Sequence, residues 1–165
     1  MDSKAGHPWI SCAFFKLPMN MQTPAASSAG RRLLVVDDHP VFRHGICQYL
    51  SQASDVTICA EAANAKLALE AMRLHEPDMV LMDVSLPGTN GIELIKHMLA
   101  ERPSLIILML SMHDESLYAL RALRAGARGY VMKQQTMENI LDALQKVSSG
   151  GIYVSPKFSD RLIFK

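Results

Sequence analysis

Leu33-Leu34-Val35-Val36-Asp37-Asp38-His39-Pro40 is the stretch on which the fold turns. Four apolar residues, two of them β-branched, are too few for a helix and unbroken by polar positions, so they read as a strand buried on both faces. Two carboxylates close the run, and Pro40 follows where a first helical turn accepts proline. Phe42, Ile46, Tyr49 and Leu50 then recur at helical spacing.

The same pattern repeats outward from this unit. Residues 56–60 (Val-Thr-Ile-Cys-Ala) form a second strand, and Asn64 caps a helix carrying Leu67, Ala71, Met72 and Leu74. Residues 79–82 (Met-Val-Leu-Met) form a third strand, followed by a Pro-Gly turn and a helix with Ile92, Ile95, Met98 and Leu99. Residues 105–110 form a fourth, before a helix marked by Leu117, Leu120 and Leu123 that Gly126 ends. Residues 130–132 form a short fifth strand, and Thr136 caps a last helix with Ile140, Leu141, Leu144 and Val147. Continuous apolar strands alternating with helices specify a parallel sheet covered on both faces, so the expected class is α/β, doubly wound and five-stranded.

The flanks differ in texture. Residues 1–31 hold Pro8, Pro18, Pro24 and a small-residue tract without period, and are expected to be a flexible extension. Residues 32–149 carry the folded domain, and residues 150–165 read as a linker, with an amphipathic start at Phe158, Leu162 and Ile163, toward an absent effector domain. A hydrophobic fraction of 49% with a net charge of +1 excludes disorder across the chain and argues against a nucleic-acid-coating protein. Cys12, Cys47 and Cys59 show no metal or disulfide spacing and read as free thiols. No apolar run approaches the roughly 20 residues of a membrane span, and residues 9–15 make a poor signal peptide, so the expected location is cytoplasmic.

Ligands of open α/β sheets bind outside the carboxyl ends of the strands. There the chain sets Asp37 and Asp38, then Asp83, then Ser111, then Lys133. Any one of these has an ordinary reading as a cap, a turn residue or a solvated charge. Together they describe a site. Three close carboxylates repel, and a cation relieves them; oxygen ligands with open water positions favour Mg²⁺. A lysine and a hydroxyl beside the same carboxylates suit a phosphoryl group.

With these residues in place, positions 33–149 resemble the receiver domain of bacterial two-component response regulators. The motifs that carry the resemblance are L-L-V-V-D-D-H-P at 33–40, M-V-L-M-D-V-S-L-P-G-T-N-G at 79–91, M-L-S at 109–111 and G-Y-V-M-K at 129–133. The D-D-H-P opening and R-A-G-A-R-G-Y at 124–130 look most like the subfamily whose receivers precede a LuxR-type helix-turn-helix. The resemblance implies a flavodoxin-like sheet in the order 2-1-3-4-5 and a switch rather than an enzyme, with at most slow self-dephosphorylation. It implies Asp83 as phosphoacceptor for a sensor histidine kinase. It also implies Mg²⁺ held by Asp38, Asp83 and the Ser85 backbone carbonyl, with Asp37 acting through a water. Lys133 would pair with Asp83 and then with the phosphoryl group, Ser111 would bind that group, and Tyr130 would turn inward in response. A homodimer on phosphorylation, and DNA contact only through an effector domain, follow from the same likeness. Gln134-Gln135 departs from the acidic residue that usually follows the lysine.

Two other functions share some of these residues. An Asp-nucleophile phosphatase of the haloacid dehalogenase type needs D-x-D after its first strand, whereas here the carboxylates are adjacent and Asp83 is followed by Val84-Ser85. An unphosphorylated receiver-like scaffold would have lost the acidic set, which is intact. Arg121, Arg124 and Arg128 read as a solvated or partner-facing surface. The histidines show no metal spacing, although His39 lies beside the acidic pair and could tune it.

Overall fold

The computed structural model describes residues 30–53 and 55–163, with side chains to Asp160. The extension expected over residues 1–31 lies outside the described residues apart from Gly30 and Arg31, and Arg31 already opens the first strand. The elements in chain order are β1 (Arg31–Val36), α1 (Pro40–Leu50), β2 (Val56–Ala62), α2 (Ala65–His75), β3 (Met79–Asp83), β4 (Ser85–Leu86), β5 (Thr89–Asn90), α3 (Gly91–Glu101), β6 (Ile106–Ser111), α4 (Glu115–Ala125), β7 (Gly129–Met132), α5 (Met137–Ser148) and α6 (Pro156–Ile163).

Five strands form one parallel sheet in the order β2-β1-β3-β6-β7, the doubly wound arrangement expected. β4 and β5 pair antiparallel as a two-residue ladder just after Asp83, an element too short for any hydrophobic period to announce. Alternate strand residues serve opposite faces. Leu33, Val35, Leu81, Leu108 and Val131 pack with α1 and α5 through Ile46, Leu50, Ile140, Leu144 and Val147. Leu34, Val36, Val80, Met82, Ile107, Met109 and Tyr130 pack with α2, α3 and α4 through Met72, Ile95, Met98, Ala119 and Ala122. Each fully buried aliphatic side chain contributes about 1.5–3 kcal/mol, so the central strands dominate stability.

The helix ends follow their sequence signals. Asn64, Asn90, Asp114 and Thr136 each accept a backbone N–H of the first turn, and Pro40 opens α1. Gly126 ends α4 at φ 111°, a left-handed conformation that glycine adopts without strain. Two helices present different faces from those expected. α2 buries Ala68 and Met72 while Leu74 stays exposed, and α4 buries Ala119 and Ala122 while Leu117 stays exposed. Small residues let both helices lie close to the sheet, so the alanines face inward and the leucines flank them. No helix among the described residues is long and apolar enough to cross a membrane.

Residues 150–163 stay against the domain. Tyr153 makes a parallel bridge with Gly129, its N–H donating to Arg128 O at 3.0 Å and its carbonyl accepting from Tyr130 N at 2.9 Å. Ser155 caps α6, its hydroxyl accepting from Phe158 N at 3.2 Å. Phe158 is buried in the core cluster that holds Tyr130, Ala119 and Ala122.

Candidate functional site

The sheet delivers its polar residues to one edge. β1 ends before Asp37 and Asp38, β3 ends in Asp83, β6 ends in Ser111, and Lys133 follows β7. β1 and β3 are neighbours, as are β6 and β7, so parallel register brings all five positions into one crevice. Lys133 Nζ lies 2.6 Å from Asp83 Oδ2 and 2.6 Å from Asp37 Oδ2. All three side chains are almost wholly buried, so one ammonium offsets two carboxylates in a medium where charges interact strongly. Lys133 N donates to Ser111 O at 2.8 Å, and its ammonium sits 4.7 Å from the centre of the Phe42 ring. The Phe42 face thus adds a cation–π contact that steadies the lysine.

Burial pushes the Asp83 carboxyl above its ordinary value. The Lys133 hydrogen bond and the Ser85 N–H, 3.0 Å from Oδ1, pull it back, and the Asp37 charge adds to the rise. Asp37 is fully buried; Oδ1 accepts from His39 N at 2.8 Å, and its backbone carbonyl accepts from the Arg43 guanidinium. Arg43 in turn meets Glu61 at 3.1 Å, tying α1 and β2 to the first carboxylate. His39 Nδ1 stands 2.8 Å from Asp38 Oδ1, 3.3 Å from Asp37 Oδ1 and 4.0 Å from Asp83 Oδ2. Ligand atoms of Asp37, Asp38, His39 and Asp83 fall within 4.8 Å of one another, a grouping able to hold a cation.

The donor set fits a hard divalent ion. Asp38 Oδ1 and Asp37 Oδ2 are buried, and their contacts are those with His39 Nδ1 and the Lys133 ammonium respectively. Three carboxylates clustered around so little cationic charge suit Mg²⁺, which takes few protein ligands and keeps several waters.

Gly91 allows the segment after Asp83 to close up. A Cβ at Gly91 would stand 2.4 Å from the Asp83 carbonyl oxygen, so only glycine permits this approach, which its N–H completes by donating to Val84 O at 2.8 Å. The spacing of Asp83 and Gly91 therefore reflects a backbone contact beneath the carboxylate.

Ser111 is fully buried, and its Oγ accepts from His113 N at 2.9 Å. Tyr130 is also buried, its hydroxyl donating to His113 O at 3.1 Å. Burial pushes the Tyr130 phenol up to about 12, with the Ser111 hydrogen bond acting the other way. Tyr130 thus faces inward, the orientation expected of it in response to a phosphoryl group. The His113 ring, exposed on the loop after β6, approaches Ser85 Oγ at 3.2 Å and stacks on Tyr118 with centroids 4.9 Å apart.

The structure gathers Asp37, Asp38, Asp83, Ser85, Ser111 and Lys133 into the crevice and places Tyr130 on the adjoining strand. Arg121, Arg124 and Arg128 are exposed, and Arg121 lies over the Tyr118 ring. His113 was not singled out in sequence because no spacing marks a loop histidine. His39 had only its position beside the acidic pair as a signal.

Residues 33–145 match the response regulator receiver domain family. The chain belongs to that family. The receiver is 31% identical over 132 residues to the transcriptional regulatory protein DegU of Brevibacillus brevis, covering 80% of this chain and 56% of DegU. It is 33% identical over 139 residues to the nitrate/nitrite response regulator NarL of Escherichia coli K12, covering 83% of this chain and 61% of NarL. A solved two-component response regulator of the LuxR family from Aurantimonas sp. SI85-9A1 superposes with a TM-score of 0.75 at 35% identity, over 79% of this chain and 94% of that one. A structure of the response regulator RcsB in complex with DNA superposes with a TM-score of 0.73 at 25% identity, over 79% of this chain and 66% of that one. The receiver spans less than two thirds of the length of DegU and NarL.

Proposed function

We propose that this receiver accepts a phosphoryl group on Asp83 from the phosphohistidine of a sensor kinase and uses it to control an output. The observation that carries the reading is Lys133 Nζ at 2.6 Å from both Asp83 and Asp37 in a buried crevice, with Ser111 at the end of the adjoining strand. In the transfer, a carboxylate oxygen of Asp83 forms a bond to phosphorus, the phosphorus–nitrogen bond of the donor breaks, and the imidazole nitrogen keeps the electron pair. Lys133 then holds a phosphoryl oxygen in place of a carboxylate oxygen, and the Ser111 hydroxyl donates to another. Asp38, Asp83 and the Ser85 carbonyl would hold Mg²⁺, with Asp37 acting through a water, and the ion would neutralise charge building on the transferred group.

The product brings close to two negative charges and three acceptor oxygens to the end of β3. The readout is a change in partner affinity, with dimerisation one outcome. The names of DegU and the RcsB–DNA complex support transcriptional output through a DNA-binding region outside residues 32–149, with residues 150–165 as the connection. A two-component receiver of this type works in the cytoplasm as a switch, not as an enzyme with turnover.

The test is intact-mass analysis after incubation with a small phosphodonor and Mg²⁺. The wild type gains one phosphoryl group, and Asp83→Asn gains none, because an amide is not a comparable nucleophile. The same adduct on Asp83→Asn refutes the assignment.

A further inference from the structure

His39 stands at the N-cap of α1, a position where a side chain ordinarily accepts a backbone N–H of the first turn. Its ring makes no such bond. It turns instead toward the acidic residues, with Nδ1 at 2.8 Å from Asp38 Oδ1, 3.3 Å from Asp37 Oδ1 and 4.0 Å from Asp83 Oδ2. The His39 side chain is 63% exposed while Asp37 and Asp83 are buried, so the imidazole forms the solvent side of the crevice. Its backbone N–H, given to Asp37 Oδ1 at 2.8 Å, fixes the root of the side chain against the same carboxylate.

Charge decides what such a group of atoms takes. Asp37, Asp38 and Asp83 bring three carboxylates together, and Lys133 returns one positive charge to two of them. The Arg43 guanidinium is engaged by Glu61 and by the Asp37 backbone carbonyl, so it offsets a different carboxylate. The charge left over is that which one divalent ion balances. Spacing agrees. Ligands of an octahedral ion, held at roughly 2.0–2.1 Å, stand about 3 Å apart when adjacent and about 4 Å apart when opposite. The separations of His39 Nδ1 from Asp38 and Asp37 match the first spacing, and that from Asp83 matches the second. A simple pair with Asp38 accounts for the 2.8 Å contact alone.

We infer that His39 Nδ1 is a metal ligand, which makes the crevice a mixed nitrogen–oxygen site that prefers first-row transition ions of the Co²⁺ and Ni²⁺ kind to Mg²⁺. This rests on the cation site proposed above for Asp38 and Asp83. Mg²⁺ is a hard ion served by carboxylates, carbonyls and water, and an imidazole adds little to its binding. The later divalent ions bind imidazole nitrogen firmly. A histidine at this one position therefore changes which ion is selected, while the carboxylates still hold it. Loading of the receiver then follows the supply of these ions as well as that of Mg²⁺.

Calorimetric titration of the full 165-residue chain with Co²⁺ alone and with Mg²⁺ alone measures the preference, and proton NMR of the Co²⁺-loaded chain identifies the ligands. Wild type binds Co²⁺ more tightly than Mg²⁺ and shows the hyperfine-shifted ring protons of a bound imidazole. Excess Mg²⁺ displaces the Co²⁺, which puts the ion in the crevice. Losing even an outer partner of a metal ligand lowers affinity about 10–100-fold, so His39→Gln weakens Co²⁺ by at least about tenfold. The same variant keeps its Mg²⁺ affinity and lacks the shifted ring protons, and its circular dichroism matches wild type because the substituted side chain is exposed. Asp38→Asn weakens both ions. Equal loss of Co²⁺ and Mg²⁺ in His39→Gln, or shifted ring protons that persist in it, overturns the ligand role of His39. Co²⁺ that excess Mg²⁺ does not displace sits on another histidine and overturns it as well. If neither ion binds wild type, the cation site itself falls, and the preference falls with it.

Discussion

Replacing Lys133 with methionine keeps the length of the side chain and removes its charge. Asp37 and Asp83 are then left buried, facing each other across the space where one ammonium had stood 2.6 Å from each. Removing one partner of a buried pair costs about 3–5 kcal/mol. That corresponds to a fall in Tm of roughly 10–20 °C for a domain of this size. The loss depends on pH. Asp83 is already raised above its ordinary value by burial, and without the Lys133 hydrogen bond it rises further. A carboxyl raised in the folded state binds more protons than the unfolded chain does, so stability falls as pH rises from the unfolded value near 4 through the folded one. Lys133→Met therefore lies close to wild type at acidic pH and far below it at pH 7.5. Divalent cation restores part of the deficit: about 1.4 kcal/mol at ten times the dissociation constant. Urea denaturation at pH 5 and pH 7.5, with and without Mg²⁺, measures each part. A deficit below about 1 kcal/mol at pH 7.5, or one equal at both pH values, refutes the view that the ammonium holds the two carboxylates together.

Gly91→Ala drives a methyl group into the Asp83 carbonyl and costs about 1–3 kcal/mol or more; phosphoryl uptake measured by intact mass falls with it. Tyr130→Phe isolates the phenol. Because the folded pKa of about 12 exceeds the usual value near 10, its stabilisation is complete below that lower value and is lost as pH rises through the upper one. Wild type accordingly loses on the order of 2–3 kcal/mol more than Tyr130→Phe over this alkaline interval, read from urea midpoints. Asn64→Ala removes the α2 cap that Leu67 N uses and costs about 1 kcal/mol in the same assay, with no effect on phosphorylation.

The sheet was legible because strands buried on both faces leave unbroken apolar runs, as 79–82 and 105–110 do. The crevice was legible for a related reason: each run stops at a polar residue, and parallel strands stop on the same side. Amphipathic helices were harder to orient. Leu74 and Leu117 fit a helical period yet point to solvent, since the sheet selects Ala68, Ala119 and Ala122 for close approach. Contacts made through the backbone left no trace in residue types. The His113 amide and carbonyl serve Ser111 and Tyr130, and the Ser155 amide serves Glu115, whatever side chains they carry. His39 was visible beside the acidic pair, but its contact at 2.8 Å with Asp38 depends on the turn between β1 and α1.

The single bridge between Gly129 and Tyr153 bears on how the receiver is cut for study. β7 is an outer strand, and the outer strand of any sheet offers unpaired amides and carbonyls to another chain. Tyr153 lies along that margin and occupies the Arg128 carbonyl and the Tyr130 amide. Gly129 permits this closeness, since a Cβ there would stand 2.8 Å from the Tyr153 carbonyl oxygen. A truncation after α5, the boundary that the repeating strand–helix pattern suggests, uncovers the margin and leaves a β-sheet open to stacking with its own kind. Self-association of such a fragment would come from the exposed margin and be mistaken for signalling. Ending the fragment beyond Tyr153 keeps the two apart.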